Sequence, residues 1–440
     1  MASDVKKRLM KNNPVHVAIG GESFDTGISQ IYRLLRKNLR GPILQLKHPF
    51  AVPALRFPAA YCWDSAFISQ IWKVVYPEIG ELILRNLLEH QKPDGRIPHL
   101  VSPFSTSALS QPPLFSFAIF ELFRYTANRP YLEYAYPVLK RYNKWWWDKR
   151  YNGELFFWNH PYESGIDNSP RFSDRAETVF VDTTKMGAVD LNSYIAGDLL
   201  YLEKIAAVLG RDDEAAEFRA KREPLLQRIN ELLWCAEDGI YYDYDFIKKK
   251  QIRIKTLASF FPLWAGVATE QNAAATIERY LRNSGEFNTG CPFPSVSLSE
   301  PSFELDMWRG PNWVNTSYLV VKGLQNYGET GFAADCAYRI ASLLIRTGAR
   351  RGTFYEYYNP HTGDINDLTR KKGNLYKQIT LGSTPVREFC GWSGLALTLL
   401  LEDVFGMDIA EKTCSPAAIT QLEDKKVRLK HRVLGIDFES

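Results

Sequence analysis

The sequence predicts an all-α fold, an (α/α)6 toroid in which inner and outer helices alternate and long loops build a pocket at one mouth. Three observations predict it: apolar residues at helical spacing along most of the chain, long Gly-, Pro-, Asn- and aromatic-rich segments between the helical stretches, and no linker-like tract between about residues 25 and 410. Apolar residues recur three and four apart in 28–39, 65–75, 79–90, 114–125 and 131–147. The pattern returns in 191–209, 213–233, 271–282, 314–327, 331–346 and 392–404, and more weakly in 257–267. The segments 92–113, 152–190, 288–312 and 348–391 are too long to be simple connections, and loops of that length in a compact domain usually carry function. No fixed-length repeat appears, which disfavours a solenoid. One helical domain, 25–413, is therefore expected, with an N-terminal extension 1–24 and a charged tail 414–440 that packs on the outside or stays partly disordered.

Composition narrows the functional classes. A chain of 440 residues with 45% hydrophobic and 24% charged residues matches soluble globular proteins. A formal charge of +4 is too weak for nucleic-acid binding, and Lys248–Lys250 and Lys371–Lys372 are short basic tracts. No apolar signal-peptide core opens the chain, and no uncharged run reaches the roughly 18 residues of a membrane span. Six cysteines without a CxxC pair fit reduced thiols, so a cytoplasmic home is expected. Aromatic residues make up 13% of the chain, with 11 Trp and 23 Tyr. Their faces suit the C–H faces of sugars, although a large helical core accounts for most of them.

The chain has no Gly-rich phosphate loop, HExxH or GxSxG, and its seven histidines do not cluster at metal-ligand spacing. Neither cofactor nor metal is expected, and carboxylates must carry any acid–base chemistry. Asp167 lies between Gly165 and Pro170 in a long aromatic-flanked segment, a shaped loop, although Asp-Asn-Ser-Pro is ordinarily a turn former. Glu356 is embedded among Phe354, Tyr355, Tyr357 and Tyr358 before an Asn-Pro turn. Burial among rings disfavours a charged carboxylate unless a cation or donors support it; an exposed Glu on a strand edge with Tyr neighbours would read the same way.

Seven separated blocks go further. Tyr61-Cys62-Trp63-Asp64-Ser65, Gly95-Arg96-Ile97-Pro98, Ser110-Gln111-Pro112-Pro113, Glu163-Ser164-Gly165 leading to Asp167, Trp308-Arg309-Gly310-Pro311-Asn312-Trp313, Glu356-Tyr357-Tyr358-Asn359-Pro360 and Gly391-Trp392-Ser393-Gly394 follow in that order. In this the chain resembles the (α/α)6 glycosidases of glycoside hydrolase family 63, their clan relatives the family 37 trehalases and, more distantly, glucoamylases. The resemblance covers about residues 60 to 395. It implies an inverting glycosidase with Asp167 as general acid and Glu356 as general base. Such a pair protonates the leaving oxygen and activates a water on the opposite sugar face, with carboxyls about 6.5–9.5 Å apart.

The other blocks then acquire expected roles. Tyr61, Trp63 and Asp64 would offer a stacking face and a hydroxyl acceptor, and Gln111 both donor and acceptor. Arg309 would hold Glu356 ionised or bind the sugar, Trp308, Trp313 and Trp392 would wall the site or simply fill the core, and Arg171 would meet an anionic aglycone. Glu163, Asp174, Glu177, Asp182, Asp306 and Glu388 are rival carboxylates. The long insert between Tyr358 and Gly391 departs from the family pattern. A compact chain of this kind is most similar to the mannosylglycerate and glucosylglycerate hydrolases of the family, which implies exo-action on a small α-glycoside by a monomer or homo-oligomer. A trehalase-like enzyme on a neutral α-gluco-disaccharide and a non-catalytic sugar-binding protein are the alternatives. A sugar epimerase would be expected to place histidines in these loops, where they are sparse.

Overall fold

A computed structural model describes residues 13–173, 177–409 and 411–440. The chain is mostly helical, and two kinds of helix alternate along it. α1 (Asp25–Asn38), α3 (Pro77–Glu89), α5 (Arg129–Arg150), α7 (Asp212–Leu232), α9 (Glu270–Thr276, prolonged by a wider turn Ile277–Leu281) and α11 (Thr330–Arg351) each mix buried with exposed positions. α1, for example, buries Ile28, Ile31, Tyr32, Leu34 and Leu35. Such one-sided helices belong on the outside.

α2 (Cys62–Lys73), α4 (Phe115–Thr126), α6 (Val189–Val208), α8 (Phe261–Trp264, entered through a tight turn Leu257–Phe260) and α10 (Val314–Asn326) lie between them in the chain. α2 is buried at every position, and α6 and α10 are buried all round over their first halves. Helices apolar on all sides must be enclosed. A short surface helix, α12 (Leu375–Leu381), precedes the last buried one, α13 (Leu395–Thr398, continued by Leu399–Val404). Neighbour relations among the buried set run α2 to α4 to α6 to α8 to α10 to α13, and α13 returns to α2.

The four long segments foreseen in the sequence each lead from an outer helix into a buried one, so they converge on the N-terminal ends of the inner helices. Short antiparallel pairs stiffen them, such as Ala60–Tyr61 with Leu100–Val101. The six cysteines are unpaired, five buried and Cys414 half-buried. Among the described residues, no helix is long and apolar enough to cross a membrane.

Of the two expectations for the tail, packing on the outside or partial disorder, the strands show packing. Val15–Ile19 pairs with Val427–His431, which pairs in turn with Ile436–Glu439, and Glu22–Ser23 completes a four-stranded sheet. Val427, Leu429 and His431 are buried while Arg428 is exposed, so the tail is a half-buried strand rather than a loose charged segment. His431 Nε2 lies 2.6 Å from the Val74 carbonyl, which ties this sheet to the far end of α2.

Candidate active site

Asp167 is held by a tightly determined loop. A single helical turn, Pro161–Ser164, ends at Gly165 with φ +75°. A Cβ on Gly165 would sit 2.4 Å from the Trp63 ring, so only glycine lets this loop lie against that tryptophan. Glu163, a rival carboxylate, is fully buried and serves the loop itself: Arg150 donates to both its oxygens, at 2.7 and 3.0 Å, and the Asn159 backbone N–H donates at 2.9 Å. Asn168 accepts from the Trp308 backbone N–H at 2.9 Å and donates to Asp306 at 3.1 Å and to the Lys372 carbonyl at 2.9 Å. Asp167 is itself 1% exposed. Its Oδ1 accepts from Lys377 Nζ at 2.9 Å, and its Oδ2 from the Asn374 amide.

Glu356 is equally buried, between Tyr355 and Tyr357. The Tyr358 and Asn312 backbones bond reciprocally, at 2.8 and 3.0 Å, and the Tyr357 hydroxyl donates to the Thr369 carbonyl at 2.7 Å. The cation on Glu356 is Arg370, fully buried and paired with Oε2, which also accepts from the Val386 backbone N–H at 3.3 Å. Arg370 thus supplies the counter-charge that a buried carboxylate needs.

Both carboxylates line one cavity of about 490 Å³, within the range of small-ligand pockets. Tyr61, Trp63, Asp64, Gln111, Trp308, Trp313 and Trp392 line it too. Trp308 stacks on Trp313 with ring centres 3.6 Å apart, and Trp63 lies 6.1 Å from Trp308 and 5.9 Å from Trp392. Trp313 Nε1 donates to the Met307 carbonyl at 2.8 Å and Trp392 Nε1 to the Glu356 carbonyl at 2.6 Å, so both rings are fixed by their polar edges. Gln111 accepts from the Trp63 backbone N–H at 3.1 Å. Burial pushes Asp64 up to about 7, while Lys377 pulls it down and Glu356 pushes it further up. Burial draws His99, also in the wall, down to about 3, and the positive charges of Lys377 and His160 add to this.

Two expected residues stand elsewhere. Arg171 is buried outside the cavity wall and pairs with Asp190 and, at 3.0 Å, with Asp243; it braces the start of α6 rather than facing an aglycone. Arg309 is also outside the wall, 3.4 Å from Glu304, and the partner expected of it is taken by Arg370. Sequence reveals a charge but not which carboxylate it meets. Among the rivals, Asp306 is absorbed by the backbone N–H groups of Lys371 and Lys372 and the Thr369 hydroxyl, Glu388 by Lys37, and Glu177 by the Leu375 N–H. Asp182 is exposed and capped locally, and Asp174 lies outside the described residues. Sequence reasoning missed Asn374, Lys377, His99 and Tyr162. All four lie outside the matching blocks, and for Lys377 only the Asn374 cap before 375–381 gave a local signal. Among the described residues, Cys235, Glu237 and Asp238 are close enough to share an ion, but Arg253 already engages Glu237 at 2.7 Å and none of the three lines the cavity.

Asp64, Asp167 and Glu356 are thus three buried carboxylates in one cavity, and a pair of carboxylates flanking the scissile bond is what most glycosidases use. Residues 58–378 match the model of the mannosylglycerate hydrolase MGH1-like glycoside hydrolase domain. A mannosylglycerate hydrolase of Thermus thermophilus is 28% identical over 75% of this chain and 94% of its own length. Human trehalase is 24% identical over 85% of this chain and 72% of its length. A solved structure of GH63 mannosylglycerate hydrolase from Thermus thermophilus in complex with Tris and D-glycerate superimposes with a TM-score of 0.69 at 25% identity, covering 84% of this chain and 98% of that one. The chain belongs to the MGH1-like glycoside hydrolase family.

Proposed function

We propose that this protein is an inverting, exo-acting α-glycoside hydrolase that releases a terminal mannose or glucose from a small anionic glycoside such as mannosylglycerate or glucosylglycerate. The observation that carries the reading is that Asp167 and Glu356, far apart in sequence, line the same tryptophan-walled cavity. Asp167, protonated, gives its proton to the glycosidic oxygen as the bond to the anomeric carbon breaks. Glu356, paired with Arg370, takes a proton from a water that attacks from the opposite face, so the product anomer is inverted. Trp63, Trp308 and Trp392 flank the sugar, and Asp64 and Gln111 meet its hydroxyls.

The ring of inner helix neighbours supports an (α/α)6 toroid, and a pocket of about 490 Å³ favours removal of one terminal sugar from a small molecule. Unpaired thiols support a reducing, cytoplasmic setting. The trehalase relatives favour one second reading, hydrolysis of a neutral α-gluco-disaccharide.

The test is sugar release from mannosylglycerate, glucosylglycerate, trehalose, kojibiose and maltose, with the first anomer followed by NMR. A β-anomer from an α-glycoside is expected first. Asp167→Asn and Glu356→Gln should each lose at least about a hundredfold in turnover while still binding substrate. Near-full activity in either variant would refute the assignment, and tight binding without release from any substrate would favour a sugar-binding protein.

A further inference from the structure

A general acid must carry a proton, yet both oxygens of Asp167 are already taken by donors. Lys377 Nζ is 2.9 Å from one oxygen and the Asn374 amide donates to the other, so both oxygens accept and the nearest charge is positive. The two clamping residues belong to one short element. The Asn374 side chain accepts from the Lys377 backbone N–H at 3.0 Å, capping α12, and from the Tyr162 hydroxyl at 3.3 Å. Lys377 keeps a quarter of its side chain exposed and lines the cavity, so it can turn to an incoming group without unfolding anything.

Building on the glycosylglycerate reading, we infer that Lys377 is the specificity-determining residue of this site: it clamps Asp167 in its anionic form until the carboxylate of an anionic aglycone draws it away. Asp167 protonates the leaving oxygen, so the aglycone must lie beside it. A carboxylate there takes over Lys377 and brings a further negative charge into a buried site. Asp167 then binds a proton from solvent, and on cleavage passes it to the hydroxyl oxygen of the departing glycerate. The substrate's own charge arms the acid. A neutral aglycone leaves the clamp in place.

The other groups facing this region are Tyr162 from the turn before Asp167, and Asp64, His99, Glu356 and Tyr376 around the cavity. Arg56 is a further cation in the wall, but its guanidinium donates to the Leu381 carbonyl at 2.7 Å, at the opposite end of α12 from Asn374. Glu356 acts as an anion and governs the acid limb of a pH profile. Asp167 acts protonated and governs the alkaline limb.

The experiment compares wild type, Lys377→Met, Lys377→Arg and Arg56→Met on α-mannosylglycerate and the uncharged α-mannosylglycerol. Wild type is expected to favour the charged substrate at least about tenfold in kcat/KM, and Lys377→Met to narrow this to about twofold. Lys377→Arg should keep the preference. On the uncharged substrate, Lys377→Met should move the alkaline limb up by about one pH unit, because a cation beside the acid has gone. Independently of turnover, calorimetry with D-glycerate in two buffers of different ionisation heat should show proton uptake on binding to wild type and none with Lys377→Met. An unchanged preference and limb in Lys377→Met, or a preference lost only in Arg56→Met, would overturn the inference. Failure of wild type on both glycosylglycerates with cleavage of trehalose would instead refute the substrate reading. The alkaline limb on trehalose would then still report the clamp.

Discussion

Asp64 shows how one buried carboxyl couples chemistry to stability. Burial raises its folded-state value to about 7 from an ordinary 3.8, so the fold favours its protonated form. Its penalty on the native state is absent below about pH 4, grows as pH rises towards 7 and is complete above that. Asp64→Asn should therefore gain stability over wild type at pH 8 and lose most of that advantage at pH 5, as read from urea midpoints at both. An equal gap at the two pH values would refute the coupling. At this scale the sequence singled out two carboxylates and the tryptophans that line one cavity, because short ordered blocks carried them. It misassigned Arg171 and Arg309, because the partner of a charge is decided by folding across distant segments.

At the scale of elements, the segment from Thr369 to Leu381 does most to set the site, since it delivers Arg370 to Glu356 and Asn374 with Lys377 to Asp167. Asp306 fixes its start through the Lys371 and Lys372 backbones. Arg370→Met should raise the acid limb of kcat/KM by about one pH unit or more, and Arg370→Lys should restore part of the shift. An unmoved limb with falling activity would make Arg370 merely structural. The longer helices were legible because each holds its period for three turns or more, whereas the two-turn α12 was not. The weak stretch 257–267 resolves into a tight turn and the four-residue α8, with Pro262 in the first turn of the latter. The two-residue strand pairs were not legible, since two residues carry no period.

At the scale of the molecule, the terminal sheet binds both chain ends to the helical body. Its strand 427–431 escaped notice because charged residues alternate with Val427 and Leu429, and composition averages away a period of two. Removing residues 427–440 would uncover Val15, Val17 and Ile19 and leave Val74 without its His431 contact. A loss of about 5 kcal/mol is expected from that apolar exposure. Calorimetry of the truncated chain checks it, and an unchanged melting temperature would refute it.

The return of α13 to α2 has a consequence for biosynthesis. A growing chain can pack α2, α4, α6, α8 and α10 only as an open arc, with apolar flanks bare at both ends. The seam closes only when residues 395–404 have left the ribosome, so the nascent chain carries its aggregation-prone edges until that last inner helix emerges. Chaperone demand should therefore be greatest just before residues 395–404 emerge.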